Sequence, residues 1–210
     1  MTVLRLTGRN GSHFTRVVRV VAHELKLPLE LNVVTDLMSL DVKDYGGHPA
    51  FKIPTLQVED ALLFGTDNIC NRLVELAGRA DDPRVVRSRH LTTDLLRSAQ
   101  ELVWHAMSVQ VQLIIGVRIA KLPAENAFFV KARLGLHGAL AWLDERLDQV
   151  LAALPSPRDL SVFEVSLFCL VEHLEFRPMV PLDDFPGLRA FAKQFGERES
   201  AQLTAYRADR

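Results

Sequence analysis

The chain has 210 residues, 48% hydrophobic and 24% charged, with a formal net charge of −1; that length holds one large domain or two small ones. The balanced charge offers no broad basic surface for nucleic acid, and Met1–Arg5 lacks the basic head and apolar run of a leader. No stretch approaches the roughly 20 apolar residues that span a bilayer, since the best candidate, 109–119, is interrupted by Gln110, Gln112 and Arg118, so a soluble, cytoplasmic protein with no nucleic-acid or membrane partner is expected.

In chain order, Val3-Leu4-Arg5-Leu6 alternates as a strand does, and residues 8–11 read as a loop. Ser12 precedes Phe14, Val17, Val18, Val21 and Leu25, which share one face of a helix with Ser12 as its N-cap. Pro28 closes this segment, and residues 29–34 read as a second strand. Strand, helix, strand in this order argues a right-handed parallel unit. Residues 35–50 form a polar, irregular crossover.

Phe51-Lys52-Ile53-Pro54-Thr55-Leu56 then sets a proline at the mouth of a strand, where it cannot donate to a ladder. A cis bond at Ile53–Pro54, expected here, turns the N–H and C=O of Ile53 outward to a ligand. Residues 55–58 and 61–64 read as a hairpin about Glu59-Asp60, and Thr66 as the N-cap of the helix that follows. The order βαβ, crossover, ββα is that of a thioredoxin-like α/β domain over residues 1–77. A proline loop and a helix N-terminus one hairpin apart frame an extended, anionic, peptide-like ligand.

Residues 78–83 read as a linker, and the pattern beyond, 84–210, as an all-α helical bundle. Leu95, Ala99, Leu102, Val103, Ala106 and Gln110 step along one helix. Leu136, Leu140, Leu143, Leu147, Leu151 and Leu154 form the stripe of a second, opening after Pro123. Ser161 and Glu164 have the spacing of a capping box ahead of a very apolar helix that belongs in the centre of the fold. Phe185-Pro186-Gly187-Leu188 opens a last helical stretch. Cys70 and Cys169 are far apart in apolar patterns, which predicts two buried thiols and no dithiol motif. The seven histidines show no ligand spacing, so no metal site is expected.

Together the Ser12 loop and helix, His48–Leu56, Gly65-Thr66, the Ser161/Glu164 spacing and Phe185–Leu188 resemble the glutathione S-transferase family, in its serine-type, bacterial-like form. The resemblance implies a homodimer, through residues 71–76 and 87–100, that uses glutathione as co-substrate, without metal, to conjugate small hydrophobic electrophiles in detoxification. Ser12 would be the catalytic residue, its hydroxyl donating to the glutathione sulfur, with His13 a second candidate donor. Moving a thiol from a pKa of about 8.5 to about 6.5 takes roughly 2.7 kcal/mol of thiolate preference. A hydrogen bond to a charged group contributes about 1.5–3 kcal/mol, and a helix N-terminus about 0.3–1 kcal/mol.

By the same resemblance, Ile53 pairs its backbone with the cysteinyl portion, Lys52 contacts the tripeptide, and Thr66 binds the γ-glutamyl carboxylate. The chain departs from the family at Gly65, where Glu or Gln is usual. Asp67, or Asp94 reaching across a dimer, is then expected to hold the amino group. Trp104, His105 and Met107 are candidate linings of the electrophile site. Two alternatives stand beside the transferase: a non-enzymatic binding protein, which Gly65 favours, and a glutathione-dependent reductase or lyase, which a serine at position 12 disfavours.

Overall fold

The computed structural model describes residues 4–208; Val3, expected in the first strand, lies outside them. Strand β1 (Leu4–Gly8) runs parallel to β2 (Leu29–Val33) and antiparallel to β3 (Thr55–Val58), which turns back into β4 (Ala61–Phe64). The sheet order is β2-β1-β3-β4. Period-two alternation sends Leu4, Leu6, Leu56 and Val58 to the buried face. There they join Val17, Val18 and Val21 of α1 (His13–Glu24) and Ile69 and Leu73 of α2 (Thr66–Leu76) in one core.

The opposite face carries the crossover, which is less irregular than its polar composition suggests. Asp41 caps a 3₁₀ turn, Val42–Tyr45, and Thr55 Oγ1 donates to the Tyr45 carbonyl at 2.9 Å. Gly46 ends the turn with φ +63, lying so close over Thr7 that a Cβ would meet its Oγ1 at 2.6 Å. Glycine therefore serves there for conformation and for space.

Beyond Gly78 the chain is mainly helical: α3 (Asp94–Leu113), α4 (Ala127–Glu145), α5 (Leu147–Ala153), α6 (Val162–Phe176), α7 (Pro186–Phe195) and α8 (Glu199–Leu203). Three expectations need correction. The second part is not wholly helical, because β5 (Val85–Val86) pairs in parallel with β6 (Leu160–Ser161). The leucine stripe spans two helices, since the backbone at Arg146 (φ −111, ψ 8) interrupts it. Only half of the capping box forms. Ser161 Oγ accepts from the Glu164 N–H, but the Glu164 carboxylate takes the Arg158 guanidinium at 2.7 and 3.1 Å instead of the Ser161 N–H. A bidentate, charge-assisted pair outcompetes one neutral donor.

Helix α3 continues through a π-helical segment to Ile119, and the 26-residue whole is long and apolar enough to cross a membrane by length and composition. The expected interruptions do not break it, and Gln110 is fully buried. Its apolar residues Leu96, Val103, Met107 and Leu113 lie in the same core as α4 and α6. Helix α6 is central as expected, with Val165, Leu167, Phe168, Cys169, Leu170 and Val171 all at 0% exposure.

Helix α6 also meets α1 of the N-terminal part. Arg16 of α1 is buried there, its guanidinium between the rings of Phe168 and Tyr206 at 4.7 and 4.2 Å. It donates to the Ala201 carbonyl and to Thr204 Oγ1, and lies 3.7 Å from Glu172.

Candidate functional site

Three segments leave the same end of the sheet. Thr7, Thr55 and Phe64 form one row across β1, β3 and β4. The loop to Ser12 follows Thr7 and Gly8, Ile53-Pro54 immediately precedes Thr55, and Gly65-Thr66 follows Phe64. Antiparallel pairing thus gathers residues far apart in sequence at one edge.

The first loop is shaped by Thr15. A Cβ on Gly8 would collide with its side chain, and the Arg9 N–H donates to Thr15 Oγ1 at 3.3 Å. Ser12 then caps α1 as expected, its Oγ accepting from the Thr15 N–H at 3.3 Å. Capping uses an oxygen lone pair, so the hydroxyl proton remains available for donation outward. The cap and a thiol donor are compatible roles for one serine.

His13 does not share that role. Its ring lies wholly in the core against His173 and Phe14, at centroid separations of 4.3 and 4.7 Å. The Gln110 side chain and the Met107 backbone face it, but neither ring nitrogen has a hydrogen bond of normal geometry. Burial first, then the nearby His173, pushes its pKa well below the usual value.

The Ile53–Pro54 peptide is cis. Among the described residues, neither the N–H nor the C=O of Ile53 has a partner, as an extended ligand strand would require. Lys52 is exposed beside it. Thr66 is not the N-cap of α2. Gly65 holds that position, with φ +86 and ψ 126, and Thr66 is the first helical residue, 7% exposed. A side chain at the cap would need a backbone conformation that only glycine adopts readily. Asp67 faces the protein: its Oδ1 accepts from Ser88 Oγ at 2.5 Å and its Oδ2 from Asn71 Nδ2 at 3.1 Å.

Of the candidate linings, Met107 is fully buried, His105 is exposed, and Trp104 stacks on Phe14 at 6.0 Å with an interplanar angle of 7°. Trp104 is thereby tied through its side chain to Phe14, two residues after Ser12, whereas Met107 reaches His13 with its backbone. Both cysteines are buried as expected, Cys169 raised to about 12 and Cys70 well above its usual value by burial. The sequence reading missed His173, whose Nε2–H donates to the Gly11 carbonyl at 3.0 Å. Local pattern could not find it, because its partner is 162 residues away.

Residues 6–81 match the family described as glutathione S-transferase, N-terminal domain. Similar solved structures include a glutathione S-transferase from Methylobacillus flagellatus with glutathione bound, at TM-score 0.77 and 21% identity, covering 97% of this chain and 100% of that one. A glutathione transferase family member from Pseudomonas fluorescens, with bound glutathione, has TM-score 0.78 and 20% identity, covering 98% and 100%. A glutathione S-transferase from Methylobacterium radiotolerans, complexed with glutathione sulfonate, has TM-score 0.76 and 17% identity, covering 100% and 97%. No curated protein matches the sequence.

Proposed function

With residues 6–81 forming a glutathione S-transferase N-terminal domain and the whole chain carrying the fold of that family, we propose that this protein binds glutathione and conjugates its thiolate to small apolar electrophiles. The observation that carries this reading is the Thr7–Thr55–Phe64 row. It brings a serine hydroxyl, the unpaired N–H and C=O of Ile53 and a helix N-terminus to one edge of the sheet, the three kinds of group that a short anionic peptide can engage.

Each part has a matching chemistry. The N–H and C=O of Ile53 pair with the cysteinyl residue as an added strand. The first turn of α2, with the Thr66 hydroxyl, receives the γ-glutamyl carboxylate, because unpaired N–H groups and the helix dipole favour an anion. Lys52 approaches the tripeptide from solvent. Ser12 donates its hydroxyl proton to the sulfur and stabilises thiolate over thiol, without itself ionising. The electrophile enters beside Trp104, and the chain pairs as a homodimer through residues 71–76 and 87–100.

Disulfide exchange on the same fold is disfavoured, because position 12 is serine and both cysteines are buried and held in the thiol form. A glutathione-binding protein without catalysis is the second reading, and Gly65 is the feature in its favour. Retention on immobilised glutathione followed by a conjugation assay tests both. Retention with turnover of a model aryl halide supports the transferase, retention without turnover for any electrophile supports the binding protein, and no retention refutes both.

A further inference from the structure

A γ-glutamyl headgroup is a zwitterion, and the N-terminus of α2 suits only half of it. Unpaired N–H groups and the Thr66 hydroxyl attract the carboxylate, but a helix N-terminus repels an ammonium group. The ammonium brings three donors and needs an acceptor. Gly65 has no side chain to provide one. Asp67 carries charge, yet both of its oxygens already accept from Ser88 and Asn71.

Asn68, the third residue of α2 and exposed, lies beside where the missing side chain would begin. Its Nδ2 is 3.3 Å, and its Cγ 3.9 Å, from the position a Cβ on Gly65 would take. Nδ2 donates to the Phe64 carbonyl at 3.1 Å. A carbonyl partner settles which amide atom is nitrogen, so the oxygen is the remaining atom, and among the described residues Oδ1 accepts nothing. The side chain is thus anchored through its donor and keeps an acceptor unused beside the helix N-terminus.

Resting on the glutathione reading above, we propose that Asn68 is the residue that recognises the γ-glutamyl ammonium group, its Oδ1 accepting from the amine while the first turn of α2 and Thr66 hold the carboxylate. The acceptor moves from the cap to the third residue of the helix. That placement lets position 65 remain glycine and keep its φ of +86.

The test compares glutathione with its desamino analogue, glutaryl-cysteinyl-glycine, by titration calorimetry on the parent, Asn68→Ala and Asp94→Asn proteins. In the Ala variant, glutathione affinity should fall about tenfold, the lower range for a hydrogen bond to a charged group, while affinity for the analogue stays at the parent value. An equal loss for both ligands would make Asn68 a structural clasp on Phe64 and overturn the proposal. So would unchanged glutathione binding, or an amine-selective loss in the Asp94 variant in place of Asn68→Ala. If the parent binds neither compound, the glutathione reading itself fails and this inference falls with it, an outcome distinct from parental binding that Asn68→Ala leaves intact.

Discussion

His173, near the end of α6, donates from Nε2 to the carbonyl oxygen of Gly11 at 3.0 Å, and so ties the helical part of the chain to the residue just before Ser12. A carbonyl can only accept, so the bond fixes the ring in the tautomer protonated at Nε2. Replacing His173 with Phe would remove this part-buried hydrogen bond, at a cost of about 1 kcal/mol. It would also loosen the turn that carries Ser12. His173→Gln keeps a donor at similar reach. The Phe variant should lose stability in denaturant titration and turn over more slowly, with the Gln variant recovering most of both. Equal turnover in all three would deny His173 a positioning role.

Two buried histidines make stability depend on acid. Burial lowers His173 from 6.5 to about 4, and His13 well below 6.5. In both cases the unfolded chain takes up protons first as pH falls. Their contribution is therefore complete above about pH 6.5 and is lost on descent toward pH 4, by roughly 3 kcal/mol for His173. Unfolding midpoints measured from pH 7 to 4.5 should fall over that window. The fall should be shallower in a His13→Leu, His173→Phe double variant, and an identical slope would mean that other groups carry the dependence.

Ser12 caps α1 and, on the proposed reading, also donates to the thiol, and substitution can separate the two. Ser12→Ala loses the cap, at about 1 kcal/mol of stability, and loses the hydroxyl proton. Ser12→Asp keeps an acceptor for the Thr15 N–H but sets a negative charge beside the thiolate. The Ala variant should shift the pH midpoint of conjugation upward. The Asp variant should be as stable as the parent and shift it further. A pH profile unchanged in both would leave Ser12 as a cap alone.

Thr66→Ala should weaken glutathione binding with little loss of stability, because Gly65 and not Thr66 occupies the cap of α2. Gly65→Ala should behave in the opposite sense. Its φ of +86 penalises any Cβ, which would also crowd Asn68 Nδ2 at 3.3 Å, so about 1–3 kcal/mol of stability should be lost. Thermal unfolding beside calorimetry distinguishes the two, and a Thr66→Ala protein with parental affinity would remove Thr66 from the site.

The N-terminal elements were legible because their signals are local. The spacing Phe14, Val17, Val18, Val21 marks one helix face, Ser12 its start, and Pro54 ahead of Thr55–Val58 the mouth of a strand; side-chain periodicity and proline's missing N–H act within a few residues. The apolar run Val165–Leu174 announced a central helix for the same reason. Short elements were harder to see. Val85–Val86 pairs with Leu160–Ser161 across more than seventy intervening residues, and no pattern within either dipeptide encodes its partner. Thr66 resembled a cap because threonine suits one. What moved the cap to Gly65 is the backbone turn out of β4, which the hydroxyl alone does not determine.

The site divides in the same way. Which residues could serve, Ser12, Ile53 and Thr66, followed from residue type beside a strand end or a helix start. Which side chains nearby are free to serve was decided by tertiary contacts. Asp67 turned to Ser88 and Asn71, His13 turned into the core against His173, and Asn68 was left with an acceptor beside Gly65. A side chain's chemistry is written in its identity, but its availability depends on which donors and acceptors the fold has already placed within about 3 Å of it, and those come from anywhere in the chain.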